Sequence, residues 1–180
     1  MESPPFRILT VCLGNVCRSP LMERLLLDRL PEGYTVSSAG LIALAGHPME
    51  PNAAAELSRL GGSAVGFLAR DFEPRFANEA DLILTATAEV RSRVLAESPS
   101  ALRRAFTLLE LAHLVQSAPA APPLEVVAWA AAHRSAAVDA EIDLPDPIGR
   151  SPEVHRAVAD LIDEATRQVV QVLTSVPDAV

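Results

Sequence analysis

The residues best suited to chemistry crowd into one segment, Cys12-Leu13-Gly14-Asn15-Val16-Cys17-Arg18-Ser19-Pro20. Cys-x5-Arg places a nucleophile and a guanidinium at opposite ends of a short turn. A guanidinium grips two phosphate oxygens at once and can follow their charge into a transition state. The segment lies between an apolar run, Phe6–Val11, and an amphipathic stretch, Ser19–Leu30. The first reads as a buried parallel strand, the second as a helix with Ser19 and Pro20 at its start. In a parallel α/β sheet that junction lies at the carboxyl ends of the strands, where ligands bind. The helix start offers unpaired N–H groups and the positive end of a dipole, and successive loop N–H groups can form an anion nest. Gly14 takes positive φ without steric cost, and Asn15 tolerates it better than most residues. The field that binds phosphate also stabilises a thiolate at Cys12. Ser19 can donate its hydroxyl to that sulfur and support it as a leaving group. Free cysteine is commonly buried and a bare Cys-x5-Arg arises by chance. Strand, Gly-Asn, Arg-Ser-Pro and helix in sequence argue against coincidence.

The rest of the chain supplies the scaffold. Tyr34–Ala39, Asp81–Thr85 and Arg104–Leu108 read as three further strands. Helices are expected at Pro51–Leu60, Ala88–Ala96, Leu109–Val115 and Pro152–Leu173, with a short one at Phe72–Asn78. The last helix carries an apolar stripe of Val154, Val158, Leu161, Ile162, Ala165 and Val169. Strands alternating with helices predict a single α/β domain over 1–180: a four-stranded parallel sheet flanked by helices on both faces. Gln116–Ile142 opens with an Ala/Pro-rich run and continues as an Ala-rich segment, Leu124–Val138, that suits a helix. It is expected to be an insertion within the domain.

Composition narrows the function. The 180 residues are 49% apolar and 21% charged, an ordinary globular balance that excludes wholesale disorder. The net charge of −8 argues against bulk nucleic-acid binding. All 15 basic residues are arginine, which excludes a lysine Schiff base and a lysine phosphate clamp. No apolar run is long enough for a membrane span, and Met1–Pro5 does not lead into a signal peptide. Two cysteines five apart suit neither a structural disulfide nor a zinc site, so a reducing cytoplasmic setting is expected. The four histidines, His47, His113, His133 and His155, are scattered and are expected at the surface or in packing. Trp129 is expected to be a packing residue. Neither metal nor cofactor is expected in the chemistry.

VCLGNVCRSPLMERLL, Val11–Leu26, closely resembles the signature of the low-molecular-weight protein tyrosine phosphatases. The segments Ser37–Gly40, Pro48–Ala54 and Ala69-Arg70 follow the family's order, so the resemblance spans most of the chain outside 116–142. It implies that Cys12 attacks phosphorus to form a phosphocysteine, that Arg18 binds phosphate, and that Asn15 shapes the loop. Leu13, Gly14, Asn15, Val16, Cys17 and Ser19 would complete the phosphate-binding loop. The family's general acid lies in an Asp-Pro pair before the last helix, a position held here by Asp146-Pro147. An acid is needed because the departing oxygen is otherwise expelled as a strong base; the same carboxylate then activates water. Asp143, before Leu144, is the weaker candidate.

Several positions depart from the family pattern. Tyrosine-specific members carry aromatic residues after the Asp-Pro pair, where this chain has Ile148 and Gly149. Members usually place Trp or Tyr in the loop after Ser-Ala-Gly, where this chain has Leu41–His47. Losing an aromatic stack costs roughly 0.5–1.5 kcal/mol. Val16 points the other way, because relatives acting on phosphoarginine carry threonine there. Ala86-Thr87 replaces the Met-Asp of many relatives. The substrate cleft is therefore expected at Leu44, His47 and Ile148, and the substrate to be a phosphotyrosine-bearing protein or a small aryl phosphate, with a tyrosine kinase as partner. Cys17 has three readings: a packed hydrophobe, a disulfide partner for Cys12 that protects it from overoxidation, or part of an arsenate reductase. Arsenate reduction through further protein cysteines is excluded because the chain has none. Reduction through a small external thiol, and a phosphoprotein-binding module with little turnover, stand as alternatives.

Overall fold

The apolar run at the start forms strand β1, Phe6–Cys12, whose last five residues are buried. Its alternating side chains serve two cores: Ile8 and Cys12 face one, Leu9 and Val11 the other. Both faces must therefore be covered, which is why the run is continuously apolar. In the computed structural model, which describes residues 4–175, the strands β2 (Tyr34–Gly40), β3 (Leu82–Thr85) and β4 (Ala105–Thr107) complete a parallel sheet in the order β2-β1-β3-β4. Cys12 pairs with Gly40 on one side and Val11 with Thr85 on the other. The chain steps from β1 to β2 in one direction and returns past β1 to β3, so the carboxyl end of β1 is a topological switch point.

Seven α-helices surround the sheet among the described residues: α1 (Arg18–Arg29), α2 (Pro51–Arg59), α3 (Pro74–Glu79), α4 (Ala88–Glu97), α5 (Leu108–Val115), α6 (Pro123–Ala132) and α7 (Pro152–Leu173). One face is packed with α1, α5 and α7 around Leu25, Leu26, Phe106, Leu111 and Ile162. The other is covered by α3 and α4 through Ala77, Val90 and Val94. The expected strands and helices are present, with ends displaced by one or two residues. Helix α5 starts where a full capping box forms: Thr107 accepts from the Glu110 N–H and Glu110 reaches back to the Thr107 N–H. Helix α7 matches its expected range, yet its buried face differs. Leu161 is exposed, whereas His155, Ala159 and Thr166 are buried.

The Ala-rich segment is not one helix over 124–138. It is α6 followed by a single 3-10 turn at Arg134–Ala137. The break falls at His133, whose ring stacks on Trp129 with centroids 4.1 Å apart and whose Nδ1 meets the Trp129 carbonyl. Val126, Val127 and Ala130 tie α6 into the core beside α5 and α7. No helix of the described residues is long and apolar enough to cross a membrane.

Candidate active site

Strand β1 ends at Cys12 and helix α1 begins at Arg18, so thiol and guanidinium are held by two rigid elements joined by a five-residue turn. The turn is fixed from outside by backbone. The N–H groups of Leu41, Ile42, Leu44 and Glu50 donate to the carbonyls of Cys12, Leu13, Gly14 and Val16, at 2.9 to 3.1 Å. Across a trans peptide the next N–H points opposite to the carbonyl. The amides of Leu13, Gly14, Asn15 and Cys17 are thereby turned away from segment 41–50, and the Asn15 N–H reaches the Cys12 sulfur at 3.3 Å.

Of the two residues suited to positive φ, Gly14 and Asn15, it is Asn15 that adopts it, at 54°. Asn15 tolerates it because its side chain is fully engaged. Its Oδ1 accepts from the Arg70 N–H, and its Nδ2 donates to Ser19 Oγ and Ser38 Oγ, each at 2.9 Å. Ser19 Oγ thus accepts from Asn15 and lies 2.9 Å from Cys12 Sγ, a contact in which either group can donate. Ser38 in turn donates to Glu23, whose carboxyl is pushed up by burial. Arg70 Nε holds the Ser38 carbonyl while its guanidinium lies over the Phe76 ring. Gly40 is required for close approach: a Cβ there would sit 2.7 Å from the Leu13 carbonyl and 2.9 Å from Asn15.

Arg18 is buried, and the loop before α7 meets it. Its Nη1 donates to the Leu144 carbonyl at 3.0 Å and its Nη2 lies 3.0 Å from Asp146 Oδ2. Asp146 itself is half exposed and accepts from the Ile148 N–H through its other oxygen. Asp143 points elsewhere, accepting from the Ala88 N–H at 2.7 Å and so tying the loop to the start of α4.

Cys12, Arg18 and Asp146 line one cleft of about 210 Å³ together with Leu13, Gly14, Val16, Cys17, Ile42, Leu44 and Ile148. Leu44 and Ile148 are therefore at the cleft, as expected. His47 is not among its lining residues. It is exposed and turned into a backbone link, donating to the Leu44 carbonyl and accepting from the Ala69 N–H. Ile42, which sequence reasoning passed over, takes the wall position and is 62% exposed. Leu13, Ile42, Leu44 and Ile148 form an aliphatic rim around a polar floor.

The chain is similar in sequence and fold to known proteins. Residues 7–120 fit the family model described as low molecular weight phosphotyrosine protein phosphatase. The chain is 34% identical over 169 residues to the low molecular weight protein-tyrosine-phosphatase Wzb of Salmonella typhi, covering 94% of this chain and 95% of that one. The chain belongs to the low molecular weight protein-tyrosine-phosphatase family. The solved tyrosine phosphatase AmsI of Erwinia amylovora superposes with a TM-score of 0.75 at 25% identity, covering 94% of each chain. The YwlE arginine phosphatase of Geobacillus stearothermophilus shares the fold, with a TM-score of 0.74 at 24% identity over 93% of this chain and 92% of that one. These phosphatase matches do not favour the arsenate-reductase reading.

The two thiols of this phosphatase differ in surroundings. Burial, reinforced by the Glu50 carboxylate, pushes the Cys17 thiol up to about 12. Cys17 therefore stays protonated at neutral pH. The Ser19 hydroxyl and the Asn15 N–H both meet the Cys12 sulfur.

Proposed function

We propose that this phosphatase hydrolyses phosphotyrosine in proteins through a covalent phosphocysteine at Cys12. In the first step the Cys12 thiolate attacks phosphorus in line with the departing phenolic oxygen. Arg18 binds two equatorial phosphate oxygens and carries their charge through the transition state. Asp146, beside Arg18, gives its proton to the leaving oxygen. In the second step Asp146 takes a proton from water as that water attacks the phosphocysteine, and Ser19 steadies the thiolate that leaves. The convergence of Cys12, Arg18 and Asp146 on one cleft carries this reading.

The aliphatic rim buries a phenyl ring without stacking on it, so selection for the aryl group is weaker than an aromatic rim gives. The branched side chain of Val16 at the cleft supports an aryl ester over phosphoarginine. A phosphotyrosine-bearing protein implies a tyrosine kinase that makes it. Cys17, in the same turn as Cys12, is suited to close a reversible disulfide that shields the nucleophile under peroxide.

Steady-state kinetics on phosphotyrosine peptide, phosphoserine peptide and phosphoarginine test the proposal. Phosphotyrosine should give the highest kcat/KM, and Cys12→Ser should abolish turnover while still binding phosphate. Retained turnover in that variant, or a preference for phosphoarginine, would overturn it.

A further inference from the structure

A second cluster starts from Cys17 of the phosphate-binding loop, and neither step of the proposed reaction uses it. Cys17 Sγ, a carboxylate oxygen of Glu50 and a ring nitrogen of His155 all lie within 4.8 Å of one another. They arrive from three separate places: the residue before α1, the N-cap of α2 and the first turn of α7. Cys17 and His155 are buried, and Glu50 is partly open to solvent. Cys17 and His155 also line a small cavity shared with Arg18 and Pro147.

We propose that these three side chains form a binding site for zinc or a similar borderline divalent metal. Thiolate, imidazole and carboxylate together are a ligand set that suits zinc. Metal–ligand bonds of about 2.0–2.3 Å at tetrahedral angles put neighbouring donors about 3.3–3.5 Å apart. His155 Nδ1 and Glu50 Oε2 are already 3.5 Å apart. That spacing is long for a hydrogen bond but fits one edge of a metal tetrahedron. Cys17 closes by no more than roughly 1.5 Å to complete the third vertex, and water from the Glu50 side fills the fourth. Glu50 is pre-oriented by its outer partners, Oε2 accepting from the Ala53 N–H and Oε1 from Asn52 Nδ2. On binding, the Cys17 thiol gives up its proton to solvent and its sulfur bonds the metal. Cys17 so bound is withheld from Cys12, which sits on the same loop.

Cobalt(II) serves as the probe, because a cobalt–thiolate bond has its own charge-transfer absorption. The full chain, reduced with a phosphine, is titrated with cobalt and the band is then displaced with zinc. Wild type and Cys12→Ser should give the band at one equivalent, and Cys17→Ser should lose it. His155→Phe and Glu50→Gln should each weaken cobalt binding at least about 10–100-fold, the range set by loss of even an outer partner. Glu50→Gln keeps an acceptor for the Ala53 N–H, so it tests the ligand without removing the helix cap. Circular dichroism confirms that each variant is folded. A band that survives Cys17→Ser and vanishes in Cys12→Ser would place the metal on the cleft thiol and overturn the proposal. So would wild-type affinity in folded His155→Phe or Glu50→Gln, or no band in wild type at all.

Discussion

Two carboxylates sit in the loop before α7, and replacing each in turn separates chemistry from scaffolding. Asp146 Oδ2 lies 3.0 Å from Arg18 Nη2 with its side chain 47% exposed, so the ion pair contributes little to stability. Asp146→Ala should therefore fold like wild type and bind inorganic phosphate at least as well, because Arg18 keeps its full charge for the ligand. The loss should appear in turnover. A positioned acid contributes roughly 10²–10⁴-fold, equivalent to about 3–5 kcal/mol of barrier. That contribution depends on the leaving group. A tyrosine phenolate, with a conjugate acid of pKa about 10, needs the proton, whereas p-nitrophenolate leaves readily without it. The ratio of wild-type to Asp146→Ala kcat should thus be much larger on phosphotyrosine than on p-nitrophenyl phosphate. Asp143 instead holds the Ala88 N–H at 2.7 Å. One such bond to a charged acceptor is worth about 1.5–3 kcal/mol at most, felt as loop order and melting temperature. Asp143→Ala should lose less kcat, by a similar factor on both substrates. Stopped-flow and steady-state rates on the two esters, with melting curves, decide the matter. A larger, leaving-group-dependent loss in Asp143→Ala would refute the assignment of Asp146 as acid.

Ser19→Ala removes the donor to the thiolate that leaves in the second step; phosphocysteine hydrolysis should slow by about 10–100-fold, visible as an enlarged p-nitrophenol burst before a slower steady rate. The Cys17 thiol, pushed by burial to about 12 from an ordinary 9.0, contributes stability fully present below pH 9 and lost as pH rises towards 12. Between those limits the loss approaches about 1.4 kcal/mol per pH unit, so urea melts with chelator present should show wild type weakening from pH 8 to 10 more than Cys17→Ser does. Ile148→Tyr restores an aromatic wall at the cleft and should raise kcat/KM on phosphotyrosine up to about tenfold, with little change on small alkyl phosphates.

What was legible in the sequence is what short-range rules govern. Strand β1, its turn and helix α1 are contiguous, and their apolar run, Gly-Asn pair and Arg-Ser-Pro start each act within a few residues. Asp146 rests on a different signal, the family resemblance that points to an Asp-Pro pair ahead of the last helix. Helix α7 shows where such reading stops. Its length follows from periodicity, but its buried face does not. Apolar type points to Val154 and Leu161, whereas His155, Ala159 and Thr166 face inward. Thr166 is tolerated there because its hydroxyl bonds the Ile162 carbonyl and accepts from Arg29. A polar side chain whose bonds are satisfied costs little to bury, and one of the two partners, Arg29, lies on α1, far away in sequence. The cluster at His155 was hidden because its other members, Cys17 and Glu50, stand on elements distant in sequence.

The substrate end of the cleft was obscured by the same physics acting through the backbone. Whether Ile42 or His47 reaches the cleft is decided by which N–H groups of the loop after β2 find carbonyls on the phosphate-binding turn. Leu41, Ile42 and Leu44 do so, and His47 folds back onto Leu44 and Ala69. Every residue offers the same amide, so no side-chain pattern marks that choice. Arg18 is anchored in part by the carbonyl of Leu144, where side-chain identity is equally irrelevant. Gly40 is the partial exception. A glycine ending a strand that pairs with the cysteine strand signals a close approach, and only pairing Cys12 with Gly40 reveals that the turn itself fills the space a Cβ would need. The phosphate end of the site is thus built from groups whose chemistry is peculiar to their side chains. The substrate end is shaped in part by backbone pairing between distant segments, and this is why Leu44 and Ile148 could be read from the sequence while the exchange of His47 for Ile42 could not.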